Sequence, residues 1–68
     1  MKTAQKQAKT HVIIEECYAI LYKAANTAEL FQLPTVKAWG DLSRPNDDDT
    51  RLEMAEAMLA ELKANAAA

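Results

Sequence analysis

Few residues of this chain are of types and spacing that could do chemistry. His11 stands four residues before Glu15, the helical relation at which an imidazole and a carboxylate can share a metal ion. Two ligands do not close a zinc site and no third His, Asp or Glu falls on that face, so the pair reads as solvated. Cys17 and His11 are a thiol and a conceivable base, but six residues of helix turn them about 120° apart, too far for a dyad within one subunit. Asp47, Asp48 and Asp49 make an acidic run, yet the glycine and glutamate of a calcium-binding EF-hand loop are missing around it. Their plain role is at a helix start, with Asn46 as N-cap, Asp49 at the third helical position and negative charge at the positive end of the dipole. Gly40 is the single glycine, so there is no glycine-rich phosphate loop, and no GxSxG either. The expectation is a protein that is not an enzyme and takes no metal or cofactor.

The elements that position these residues are helices. From Val12 to Ala28, wound at 100° per residue with Cys17 at zero, Ile13, Ile14, Ile20, Leu21, Ala24 and Ala28 fall within about 60° of Cys17, as does Phe31 beyond. Val12, Ala19, Tyr22 and Leu30 lie on the far side, where polar residues belong on a surface helix. Asn26, Thr27 and Glu29 resemble a capping box that would restart a helix. Pro34 closes that stretch and opens a short second helix, Pro34 to Gly40, with the glycine as its stop. The last helix, Thr50 to Ala64, carries Leu52, Ala55, Leu59, Leu62 and Ala66 at spacings 3, 4, 3, 4, a strict a/d seam. Ile13, Cys17, Ile20 and Leu21 are therefore expected to pack on Leu52, Leu59 and Leu62, within the chain or across a dimer. The organisation that follows is a frayed basic segment over 1–10, one helical domain over 11–64 and a frayed tail over 65–68. Its fold class is all-α, a small helical hairpin or three-helix domain.

Size and charge narrow the partners. A chain of 68 residues buries only about 60% of its unfolded surface, and one cysteine allows no internal disulfide, so self-association is the expected source of added stability. A lone cysteine in an apolar stripe fits a reducing compartment, and the expected location is cytoplasmic. The net charge of −2 divides into +1 over residues 1–34 and −3 over residues 35–68, and neither half is the basic footprint of a nucleic-acid binder. No apolar run precedes Val12 and none reaches the roughly 18 residues that span a bilayer, so neither a secretory signal nor a membrane is expected.

The stretch Thr35 to Met58 reads TVKAW, then Arg44 and Pro45, then TRLEMAEAM. It resembles the end of the repressor/Cro-type helix-turn-helix family, in which a recognition helix leads through a proline-containing loop into a helix with Leu52, Ala55 and Met58 on one side. The resemblance implies a DNA-binding regulator with Gln32, Thr35 and Lys37 near the bases. Upstream the pattern departs from the family: no glycine marks the tight turn near Ala25 to Leu30, and Pro34 falls inside the would-be recognition helix.

The leading reading is a homodimer that binds a larger protein and modulates it, as an adaptor, inhibitor or antitoxin-like regulator; the alternative is the helix-turn-helix DNA-binding protein. The expected partner-facing residues are Val12 and Tyr22 on the apolar back of the first helix, whatever part of Trp39 is not used to close the domain, and the charged residues Arg44, Asp47 and Asp48.

Overall fold

The computed structural model describes the backbone of residues 2–41 and 46–66 and the side chains of 5–40 and 46–66. Four helices follow one another, α1 (Lys2–Lys23), α2 (Thr27–Leu30), α3 (Pro34–Asp41) and α4 (Asp48–Ala66). α1 begins at Lys2, well ahead of the expected start at His11. Lysines near a helix N-terminus oppose its dipole, but here Lys6 pairs with Asp49 and Lys9 lies 3.6 Å from Glu56, so their charge is met from α4. Arg44 lies outside the described residues.

These pairs also set direction. Lys6 meets Asp49, Lys9 meets Glu56 and Cys17 feels Lys63, so α1 and α4 run parallel. α3 runs the other way: the Thr35 amide donates to Glu61 Oε1 at 2.9 Å, while Trp39 borders a cleft with Arg51, nearer the start of α4. The three longer helices are thus up, down and up, a three-helix arrangement; the α1–α4 pair is not an antiparallel hairpin.

Local chemistry explains the breaks. The Thr27 hydroxyl lies 2.9 and 2.8 Å from the carbonyl oxygens of Leu21 and Ala24, so its single proton is shared between two acceptors at the end of α1 and just after it. α2 then restarts without the expected capping box: the Asn26 side chain makes no cap bond, and its carbonyl accepts from the Glu29 and Leu30 amides. The break resets the helical phase. Leu30, expected on the far side, is 1% exposed, and Phe31, expected in the stripe, is 48% exposed. Gly40 does not stop α3, which runs on to Asp41 with no positive φ at the glycine. α4 is capped one residue later than expected, by Asp47: its Oδ2 accepts from the Thr50 amide and hydroxyl, both at 2.9 Å, and its carbonyl accepts from the Arg51 amide.

The core comprises Ile13, Cys17 and Leu21 from α1, Leu30 from α2, Val36 and Trp39 from α3, and Ala55, Met58 and Leu62 from α4. The Cys17 stripe and α4 thus pack on each other within one chain. Ile20, Leu52 and Leu59, expected in the centre, are partly buried at its margin, and Ala66 is exposed. The reason is that α4 has neighbours on two sides. A strict a/d seam faces one partner, whereas α4 contacts α1, α2 and α3, so the buried arc widens to include Met58.

Candidate functional site

α1 and α3 both pack on α4, and a groove runs between them. At its centre is an apolar slot of about 80 Å³. Ile14, Cys17, Tyr18 and Leu21 form its α1 wall, Val36, Trp39 and Gly40 its α3 wall, Met58 contributes from α4, and Phe31 stands at one end. At that end the slot opens into a shallow depression of about 320 Å³ bordered by Tyr18, Leu21, Tyr22, Thr27 and Phe31. At the other end, past Ile14, Tyr18 and Trp39, it widens into a cleft of about 430 Å³ with polar walls, Gln7, Thr10 and His11 on α1 and Asp48 and Arg51 on α4. Tyr18 borders all three spaces.

The aromatic residues give the groove its character. Tyr22 is 89% exposed, Tyr18 51% and Phe31 48%; Tyr18 and Phe31 line the apolar slot and all three border the depression beside it, with much of their surface in water. Exposed aromatics gathered in this way are unusual on a monomer and mark contact surfaces. Tyr22 was expected to face a partner. Tyr18 and Phe31 are additions: Tyr18 sits about 100° from Cys17 at the edge of the stripe, and the position of Phe31 depends on the phase reset after Ala24.

The other expected partner-facing residues do not join this face. Val12 is exposed, but ten residues and about 80° of rotation separate it from Tyr22, some 15 Å along α1, and a solitary exposed valine needs no special account. Trp39, expected to close the domain with only its remainder facing a partner, is 7% exposed and lies in the core, where it walls the groove from inside and leaves little surface for a partner. The aspartates diverge. Asp47 is exposed and engaged in the α4 cap, whose hydrogen bonds from the Thr50 amide and hydroxyl hold its carboxyl below the usual carboxylate range. Asp48 is half-buried at the polar cleft, and Asp49 pairs with Lys6.

The reactive groups have equally defined places. Cys17 is buried, and the loss of hydration, with the nearby Glu16 charge, pushes its thiol up to about 11. It is therefore a neutral thiol at physiological pH and packs as a small hydrophobe. His11 Nε2 and Glu15 Oε1 are 2.7 Å apart on the exposed side of α1. Among the described residues no three His, Cys, Asp or Glu side chains gather as metal ligands, and no helix is long and apolar enough to cross a membrane. In the polar cleft, Arg51 Nε is buried without a hydrogen-bond partner among the described residues. What the groove can do is hold apolar side chains beside aromatic rings. The chain matches no protein-family model, no curated protein and no solved structure.

Proposed function

We propose that this chain is a non-enzymatic protein-binding regulator that docks on a larger protein through the groove between α1 and α3. The observation that supports the reading is the cluster of exposed Tyr18, Tyr22 and Phe31 around the depression that adjoins the apolar slot. Large aromatics are prominent among the residues that dominate protein interfaces, and a slot of about 80 Å³ suits one inserted aliphatic or aromatic group. The mode of action that fits is occupancy, as in an adaptor, inhibitor or antitoxin-like protein.

The test is capture from an extract of the source cell with the parent chain and with Tyr22→Ala. Tyr22 makes few contacts in its own fold, so the variant should melt with the parent while its affinity for the captured protein drops about tenfold or more, the loss typical of an interface hot spot. Undiminished binding by the variant would remove the groove from the interface. The helix-turn-helix alternative rests on the Thr35 to Met58 resemblance and predicts a different outcome: binding to duplex DNA that weakens steeply between about 50 and 200 mM salt. An apolar protein interface changes far less over that range.

A further inference from the structure

We propose that in the free protein the aromatic face of the groove is covered by a second copy of this chain, so that self-association and docking on a larger partner exclude each other. The inference rests on the reading of that face as a protein-binding surface.

The amount of surface is the first argument. With Tyr22 89%, Tyr18 51% and Phe31 48% exposed, the three rings leave on the order of 350–400 Å² per copy in water, taking about 200 Å² for each aromatic side chain. Two copies facing each other there bury up to about 700–800 Å² through these rings, and the groove walls beside them supply the rest of the roughly 1,000 Å² that separates specific interfaces from chance contacts.

The second argument is that the face is complementary to itself. A two-fold interface uses one patch twice, so the patch must carry both a protrusion and a recess. Tyr22 protrudes, and the slot between Leu21, Phe31, Val36 and Met58 is the recess beside it. The charged residues next in sequence to the lining residues are of both signs, Glu15, Glu16 and Asp41 against Lys23 and Lys37, so a second copy meets no block of like charge. A face that pairs with itself in this way is withdrawn from a larger protein until the dimer opens.

Sedimentation of the full chain across roughly 1 to 100 μM, the range in which interfaces of this size come apart, tests the proposal with two variants from opposite walls. Tyr22→Lys replaces the protrusion, and Gly40→Glu places a charged side chain at the rim of the recess, where a Cβ has nothing within 4 Å. The parent should sediment as a dimer, and each variant should raise the dimer dissociation constant at least tenfold with helicity retained and with a melting temperature equal to the parent's when both are diluted to monomer. A parent that stays monomeric throughout overturns the proposal; if it still captures a partner through Tyr22, the docking reading stands alone. A dimer indifferent to both variants places the self-interface elsewhere and likewise overturns it. If either variant loses helicity, the other carries the test, since the two substitutions lie on separate helices.

Discussion

At the scale of single residues, Cys17 shows how burial changes chemistry. Its neighbours exclude water, and the neutral thiol is favoured over the thiolate, which raises its pKa from 9.0 to about 11. The linkage has a definite sign. Below about pH 9 both folded and unfolded chains carry the thiol, and its contribution is fully present. As pH rises from about 9 to about 11 the unfolded chain loses this proton while the fold retains it, so stability falls across that window. Urea unfolding at pH 8 and pH 10 should show the decline, and Cys17→Ala should reduce it by the part that belongs to the thiol. An unchanged slope in the variant would mean that other groups account for all of it.

At the scale of elements, α3 carries a glycine that its geometry does not require. Gly40 is the penultimate residue of α3, has no positive φ and, among the described residues, has nothing within 4 Å of where a Cβ would stand. Glycine costs a helix interior about 0.5–1 kcal/mol relative to alanine, mainly through the freedom it must give up, and less in the last turn. Gly40→Ala should therefore raise stability by up to about 0.5 kcal/mol, measured by denaturant unfolding; a loss would show that the position needs a conformation only glycine supplies. The start of α4 was legible as a cap site, since Asn46 and the aspartates are all capping types, but choosing Asp47 over Asn46 needed the Thr50 hydrogen bonds. The end of α1 was harder. Thr27 folds its hydroxyl back on Leu21 and Ala24, a side chain to main chain contact that a capping-box pattern does not describe.

At the scale of the whole molecule, α4 is the spine on which the other helices rest, and its neighbours decide which of its residues matter most. Leu62 is fully buried where the packing converges, whereas Leu59 is partly exposed at the margin. Leu62→Ala should cost about 2–5 kcal/mol, the usual penalty for emptying a buried leucine site, and Leu59→Ala distinctly less. Equal losses in denaturant unfolding would return the two residues to one seam. The Lys6–Asp49 and Lys9–Glu56 pairs tie α1 to the spine at the surface, where solvent screening leaves such contacts little energy; their use is in registering two parallel helices.

The sequence by itself determined that the chain is helical, that Pro34 begins a new helix, that α4 is a strong helix and that Ile13, Cys17 and Leu21 share an inward face. Each of these follows from local preference or from a period counted within one unbroken helix, and neither needs knowledge of a neighbour. Only the tertiary structure decided that Leu30 turns in and Phe31 out, that Met58 is buried ahead of Leu59, and that Tyr18, Tyr22 and Phe31 gather around the slot and the depression beside it. A helical period cannot be carried through the break at Ala24 to Asn26, because the turn resets the rotation of everything after it. Burial on α4 depends on how many elements surround it, and that is set by the return path of α3 between two parallel helices, a long-range fact that no local pattern encodes.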